Sequence, residues 1–213
     1  MTTPQRVAIF GASSGIGIEL ARLLVAAGHA PVAVTRGGAS PALAAAGASL
    51  MQADVLDRAA VDRVLAREPR PDAIVSLVGG RPFRKDTPPD WDGNRHLIDA
   101  AKAAGIRRVV LVTSIGSGSS RAAAPWIARL ILGRFMALKT RAEDHLRLSG
   151  LDWTIVRPGH LTDEPATARG ELLDDDSVSG AIPRADVARL VQRVLADPGT
   201  SGRTYSAIVR TAS

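Results

Sequence analysis

The residues of this 213-residue chain with the clearest chemical meaning form a glycine-rich turn near its beginning. The turn follows an apolar run at 6–10 and precedes a Leu- and Ala-rich stretch. Such a turn lets the backbone approach a phosphate, and the free N–H groups of the following helix donate to the anion. We therefore predict a dinucleotide-phosphate site rather than a plain strand-to-helix connection. Its predicted residues are Gly11, Ser13, Ser14, Gly15 and Ile16.

The residue after the second apolar run indicates which dinucleotide would bind. An Asp or Glu at this point usually bonds the ribose hydroxyls of NAD, whereas this chain has Arg36 followed by Gly37 and Gly38. A guanidinium can bond and stack against a 2′-phosphoadenosine, and the glycines leave room for the phosphate. The sequence therefore favours NADP as the cofactor. A solvated loop arginine is the alternative interpretation.

These turns lie within a regular alternation of short β-branched runs and Ala-rich stretches of helical length. Strands are predicted at 6–10, 31–35, 48–53, 72–78, 107–113, 152–157 and 204–209. Helices are predicted at 16–27, 57–67, 91–104, from after 125 to about 149, and at 183–196, with 162–182 irregular. This alternation implies an α/β fold with a doubly wound parallel sheet. We expect one Rossmann-like NAD(P)-binding domain over residues 1–213.

The composition narrows the class of protein. The chain is 46% hydrophobic but only 3% aromatic, which suits buried parallel strands covered by Ala-rich helices. It has no cysteine, and we expect no metal site. With neither an apolar run of about 18 residues nor a charged-then-apolar leader, we expect a cytoplasmic protein without a membrane partner. The net charge of +6 is spread along the chain without interleaved aromatic residues, which disfavours nucleic acid as a partner.

The spacing G-x-x-x-G-x-G at residues 11–17 resembles that of short-chain dehydrogenases. The stretches at 149–161 and 182–188 are similar to the atypical members, namely the NmrA-like proteins and the biliverdin-IXβ reductase/flavin reductase group. The likeness covers nearly the whole chain. Val78, Gly79 and Gly80, after the fourth predicted strand, would let the cofactor pass close to the backbone. The resemblance implies that further residues also contact the cofactor. The residues so implied are Asp54, Val55, Thr113, Pro158, Gly159, His160 and Leu161.

The same resemblance assigns catalytic positions, one of which differs in this chain. Typical members place a serine after the fifth strand and a Tyr-x-x-x-Lys pair on the next helix, where the lysine also holds the cofactor ribose. Ser114 and Lys139 match, but Phe135 stands in place of the tyrosine. The flavin reductases also lack the tyrosine and carry a histidine that matches His160. The resemblance thus implies Ser114, Lys139 and His160 as catalytic residues, with Ser114 and Arg81 binding the substrate.

The missing tyrosine restricts the chemistry that we expect. Ketone reduction needs a proton on the oxygen as hydride arrives, and a positioned acid contributes about 10²–10⁴-fold. A flavin, a tetrapyrrole or a quinone delocalises the incoming charge, so solvent can supply the proton. We therefore expect an NADPH-dependent reductase of a planar, conjugated small molecule. The alternatives are an NmrA-like NADP sensor that does not turn over and a biosynthetic reductase for one secondary metabolite.

Overall fold

The structure is a computed structural model that describes residues 5–13, 15–80, 89–124 and 126–210, without the side chains of 128 and 129. The strands within these ranges are β1 Arg6–Phe10, β2 Ala30–Thr35, β3 Ser49–Gln52, β4 Ala73–Ser76, β5 Arg108–Val112, β6 Asp152–Pro158, β7 His160–Thr162, β8 Gly170–Leu173, β9 Ala181–Pro183 and β10 Arg203–Val209. The α-helices are α1 Gly15–Ala26, α2 Pro41–Ala45, α3 Arg58–Ala66, α4 Asp92–Ala103, α5 Trp126–Arg147 and α6 Arg184–Ala196. Short 3₁₀ turns occupy Gly118–Ala123 and Pro198–Thr200.

Eight of the described strands form one sheet in the order β3-β2-β1-β4-β5-β6-β10-β8. All of them except β8 run parallel to their neighbours. Because the chain moves outward from β1 in one direction and then from β4 in the other, the order is that of a Rossmann sheet. Sheets of this order bind dinucleotides in the crevice at the carboxyl ends of β1 and β4. The predicted α/β fold with a doubly wound parallel sheet is confirmed.

The irregular segment predicted at 162–182 contains more regular structure than the sequence indicated. Gly170–Leu173 forms β8, which pairs antiparallel with β10 at the edge of the sheet. Outside the sheet, β7 and β9 pair in parallel, with His160 opposite Ala181. The sheet is therefore parallel except at this edge. Strands of three or four residues are too short to show a period-two pattern, which explains why the sequence did not indicate them.

The core consists of two apolar layers, one on each face of the sheet. Along β1, Val7 and Ile9 pack in the layer under α1 and α6, and Ala8 and Phe10 pack in the layer under α3, α4 and α5. Both faces of the central strands are therefore buried, which is why they read as continuous apolar runs. This arrangement brings the carboxyl ends of β1, β4, β5 and β6 side by side.

Candidate cofactor and acceptor site

The glycine-rich turn joins the end of β1 to the start of α1 at this carboxyl edge. Gly11 has a φ of +79°, and a Cβ added there would lie 2.9 Å from the carbonyl oxygen of Leu77, just beyond β4. A Cβ on Gly17 would lie 2.5 Å from the Cα of Ala12. Both glycines are thus needed for the turn to pack closely between β1 and α1. A turn of this kind at a helix N-terminus suits a pyrophosphate.

The other residues predicted to bind the phosphates differ in how their side chains are placed. Gly15 begins α1, and Ser13 is exposed on the turn. Ile16 is 6% exposed and packs in the core, so only its backbone can face a ligand. Ser14 lies outside the described residues, and its predicted contact stays a prediction.

Arg36 directly follows β2, with an exposed side chain. Its carbonyl oxygen accepts a 3.0 Å hydrogen bond from Gln52 Nε2. The Thr35 hydroxyl donates to the carbonyl oxygen of Gly38 at 3.0 Å, which fixes the turn. Among the described residues the Arg36 guanidinium has no hydrogen-bond or ion-pair partner. An exposed cation without a partner at this strand end suits an anionic group such as a 2′-phosphate.

Asp54 and Val55 come shortly after β3, at the same edge. One carboxylate oxygen of Asp54 accepts a 2.9 Å hydrogen bond from the Leu56 N–H, so it closes the local turn. Val55 is 8% exposed, and His96 Nδ1 donates to its carbonyl oxygen at 2.9 Å. An adenine ring could therefore contact the second carboxylate oxygen of Asp54 and the surface of Val55.

A buried ion pair closes the loop after β4. Lys139 Nζ, from α5, lies 2.8 Å from Asp90 Oδ1, and Asp90 is fully buried. The other Asp90 oxygen accepts a 2.7 Å hydrogen bond from the Gly80 N–H. A Cβ on Gly79 would lie 3.1 Å from Lys139 Nζ, so the backbone after Val78 passes directly over the amino group. Lys139 therefore reaches the carboxyl end of β4, and Asp90 holds it there.

Asn94 supports the same loop from α4. Its Oδ1 accepts a 2.5 Å hydrogen bond from the Ser76 hydroxyl, and its Nδ2 donates to the carbonyl oxygens of Asp90 at 2.8 Å and Val78 at 3.3 Å. Neither Asp90 nor Asn94 was predicted as a site residue. The available signal was their spacing. Asn94 follows Asp90 by four residues, and Leu97 and Ala101 continue the same buried side along α4.

The end of β5 carries Thr113 and Ser114, which face different environments. The Thr113 hydroxyl donates a 2.7 Å hydrogen bond to Glu143 of α5, and Ser117 donates to the same carboxylate oxygen at 2.6 Å. The hydroxyl of Thr113 is therefore engaged by Glu143, and the predicted contact of Thr113 with the cofactor stays a prediction. Ser114 is half-buried, and its hydroxyl donates to the carbonyl oxygen of Ile115 at 3.2 Å.

Glu143 and Arg157 form a fully buried ion pair beneath this loop. Arg157 Nε and Nη2 donate at 3.1 and 2.6 Å to the two carboxylate oxygens. Burial by itself would raise the pKa of Glu143, but the hydrogen bonds and charge of Arg157, with the hydroxyls of Ser117 and Thr113, hold that pKa below its ordinary value. Glu143 is therefore a carboxylate near neutral pH and cannot serve as a proton donor to a substrate.

The end of β6 is joined to the loop after β5. Pro158 accepts a 2.9 Å hydrogen bond from the Ile115 N–H. A Cβ on Gly159 would overlap the carbonyl oxygen of Gly180, so the two backbones meet as closely as glycine allows. The segment after β6 therefore has no room to move towards residue 180.

His160 and Leu161 start β7 with their side chains in opposite environments. The His160 N–H donates to the Gly180 carbonyl oxygen at 2.8 Å, while its imidazole is exposed. No described residue is a hydrogen-bond partner of that ring. Leu161 packs against the core layer under α1 and α6. The structure thus fixes the backbone of His160 but does not orient its ring.

The side chain that precedes Lys139 by one turn of α5 is the half-buried Phe135. Tyr205 lies within β10, opposite Val156 of β6, rather than at a carboxyl strand end. A tyrosine is therefore missing beside Lys139 in the structure as well as in the sequence.

Some predicted site residues lie outside the described ranges, and the predictions on metal and membrane can be examined only within them. Arg81, with Arg84 and Lys85, lies outside the described residues, so its predicted contact with the substrate stays a prediction. Within the described ranges, no cluster of three His, Asp or Glu residues could hold a metal ion. The helices of those ranges lack the combination of length and apolar character that a membrane crossing requires.

The fold and the strand-end loops define an NAD(P)-binding Rossmann protein. The sequence pattern of the NAD(P)H-binding family matches residues 11–198, and the chain belongs to this family. The predicted resemblance to atypical short-chain dehydrogenases is confirmed, and the proteins similar to this chain include reductases.

Two proteins are similar over nearly the full length. Anaerobilin reductase ChuY from Escherichia coli O157:H7 is 31% identical, with a TM-score of 0.84 over 98% of each chain. YhfK from Bacillus subtilis, named an uncharacterized sugar epimerase, is 30% identical over 94% of this chain and 92% of its own.

Other relatives match over a shorter stretch. Sanguinarine reductase from Eschscholzia californica is 33% identical over 111 residues, which are 50% of this chain and 40% of that enzyme. For it and for two chloroplastic proteins of Arabidopsis thaliana, the match spans between 33% and 52% of the relative's length.

Proposed function

We propose that this protein is an NADPH-dependent reductase that passes hydride to a planar, conjugated acceptor such as a flavin, a tetrapyrrole or a quinone. The observation that carries the proposal is Phe135, one turn before Lys139, where simple ketone reduction would need a positioned acid. The ionised Glu143 cannot replace that acid, and the His160 ring has no described partner to orient it. An acceptor that delocalises the incoming charge removes the need for one.

The residues at the carboxyl edge suit NADPH, which when bound would supply the hydride. The glycine-rich turn at the N-terminus of α1 would take the pyrophosphate, Arg36 the 2′-phosphate and Lys139 the nicotinamide ribose. Since Asp90 fixes the Lys139 amino group before any cofactor arrives, little side-chain ordering would remain to be done on binding.

The acceptor would lie between the loop that begins with Ser114 and the segment that begins with His160. The hydrogen bond from Ile115 to Pro158 holds these two loops together, and His160 opens to solvent. A site that is open to solvent at His160 would accept a large flat molecule and let water deliver the proton. The names of two similar proteins, anaerobilin reductase and sanguinarine reductase, support reduction as the activity.

The direct test follows NADPH consumption by the purified protein against a panel of flavins, quinones, tetrapyrroles and unconjugated ketones. We expect the protein to be colourless as isolated and to consume NADPH with at least one conjugated acceptor, but not with the ketones. Tight NADPH binding without turnover on any acceptor would contradict the proposal and favour an NADP sensor.

Cofactor choice gives a second test. We expect NADPH to bind at least about tenfold more tightly than NADH, because charge-assisted hydrogen bonds contribute about 1.5–3 kcal/mol. Arg36→Asp should abolish or reverse that preference in measured dissociation constants. Arg67→Asp is the matched control, since it makes the same charge change after α3, at the opposite edge of the sheet. Equal affinities for the two cofactors in the unmutated protein would contradict the assignment.

A further inference from the structure

Arg157 makes more contacts than its pairing with Glu143 requires. Its side chain has no exposed surface, and Nε and Nη2 are occupied by the two Glu143 oxygens. The remaining nitrogen, Nη1, donates a 3.0 Å hydrogen bond to the Ser119 hydroxyl and a 2.7 Å hydrogen bond to Asp176 Oδ1. One buried guanidinium therefore touches α5 and two separate loops.

The two loops that meet at Nη1 border the proposed acceptor site: the loop that begins with Ser114 is one of its walls, and residues 174–180 support the other wall, the segment that begins with His160. Ser119 belongs to the loop that begins with Ser114 at the end of β5. Asp176 belongs to residues 174–180, which lead into β9 and end at Gly180, the acceptor of the His160 N–H bond. A Cβ on Gly118 would overlap Arg157 Nη2, so the first loop has no slack against the guanidinium.

We propose that Arg157 is a positioning residue that sets the separation of these two walls, and that its ion pair with Asp176 holds the segment 174–180 against the acceptor site. The proposal rests on the proposed reductase function for its kinetic consequence, but not for its structural one. Arg157 itself does not touch the acceptor; it acts through the loops that it joins.

Asp176 is the contact that can be removed without unfolding the protein. It is 45% exposed, and Glu143 still neutralises Arg157 when the Asp176 charge is lost. The neighbouring Asp175 bonds the backbone and hydroxyl of Ser177 within the same turn. Of the described side chains in 174–180, Asp176 alone is hydrogen-bonded to a fully buried residue. Asp175→Asn is therefore a matched control for Asp176→Asn.

The experiment compares Asp176→Asn, Asp175→Asn and the unmutated full chain. Amide hydrogen exchange is measured at His160 and over residues 177–182, together with the KM and kcat for the acceptor and the dissociation constant for NADPH. Because partial exposure weakens the ion pair, we expect Asp176→Asn to speed exchange about three- to tenfold and to raise the acceptor KM by a similar factor. We expect kcat and NADPH affinity to stay within about twofold. Asp175→Asn should change none of these quantities except exchange at Ser177, whose N–H donates to the Asp175 carboxylate.

Two results would overturn the proposal. One is exchange in Asp176→Asn that equals exchange in Asp175→Asn at His160 and residues 177–182. The other is an acceptor KM that both variants leave unchanged or change alike. If the unmutated protein turns over no acceptor, the proposed function fails, and the exchange comparison alone decides whether Arg157 and Asp176 hold the segment.

Discussion

The pairing of Lys139 with Asp90 would couple the proposed cofactor contact of Lys139 to the stability of the loop after β4. Lys139→Met would leave a fully buried carboxylate without its cation. Breaking a buried pair on one side costs about 3–5 kcal/mol, whereas replacing both partners is often close to neutral. We therefore expect Lys139→Met to lower the free energy of unfolding by roughly 3 kcal/mol, and Lys139→Met/Asp90→Asn to recover most of that loss.

Cofactor affinity should separate the two roles of Lys139. We expect NADPH binding to stay at least tenfold weaker in the double variant, since the ribose contact is still missing when stability returns. Urea denaturation and NADPH titration of each variant measure the two effects. Lys102→Met, in the exposed last turn of α4, is the control. A double variant that binds NADPH normally would remove Lys139 from the cofactor site.

His160 is the remaining candidate for a proton donor. A general acid is usually held by a second hydrogen bond that fixes its tautomer, and no described residue bonds the exposed His160 ring. We expect His160→Ala to lower kcat by less than about fivefold, with NADPH affinity intact, since a positioned acid would contribute about 10²–10⁴-fold. A loss of a hundredfold or more in kcat would instead identify His160 as the donor.

At the scale of elements, α5 places Phe135 and Lys139 on the same side of the helix, one turn apart. Phe135→Tyr restores the hydroxyl that typical short-chain dehydrogenases have at this point. We expect little gain in the reduction of unconjugated ketones, because the proposed acceptor is large, flat and conjugated and takes its proton from water. Turnover with a ketone panel measures this. A gain of a hundredfold would show an ordinary carbonyl reductase that had lost only its acid.

The sequence predicts those elements whose own residues form a recognisable pattern, such as an apolar run that ends at a glycine. The run Val7–Phe10 is apolar throughout because both of its faces are buried, and Gly11 marks the φ of +79° that ends it. β7 and β9 could not be predicted in this way. Three residues cannot show a period, and their pairing joins His160 to Ala181, which is distant in the chain.

At the scale of the whole molecule, the charged residues that support the candidate site are distinguished by their burial. Burial cannot be read from the sequence. Arg36 could be proposed from the sequence because its residue type and its place after a predicted strand are both readable there. Asp90, Glu143 and Arg157 could not, since acidic and basic residues are almost never fully buried unless they are paired. Each of these three is fully buried against a partner at least fourteen residues away. The supporting network of the site therefore emerged only from the assembled fold.

The Glu143–Arg157 pair should make the stability of the whole domain depend on acid pH. The pKa of Glu143 is lower in the folded protein than its ordinary value near 4.5. The unfolded chain therefore binds the proton more readily, and the contribution of Glu143 is present above that value and is lost as the pH falls through the folded pKa. We expect Glu143→Gln to lower the free energy of unfolding at pH 7 by about 3 kcal/mol.

Urea denaturation from neutral pH to below pH 4.5 measures this dependence. The difference between Glu143→Gln and the unmutated protein should stay constant down to about pH 4.5 and shrink below it, as the pH falls towards the folded pKa of Glu143. Asp144→Asn, which removes an exposed charge from the next position of α5, should show no comparable change. A difference that stays constant with pH would contradict the assignment.

The antiparallel strand β8 also affects how copies of this protein behave at high concentration. An edge strand offers unpaired N–H and C=O groups that can template a strand of another chain, and proteins limit this hazard with short or charged edges. The sheet ends at β3 and β8, each four residues long. At the β8 edge, Glu171 also pairs with Arg210 at 3.5 Å, so an approaching strand would meet two charged side chains. We expect the sheet to resist aggregation through edge-to-edge growth for this reason.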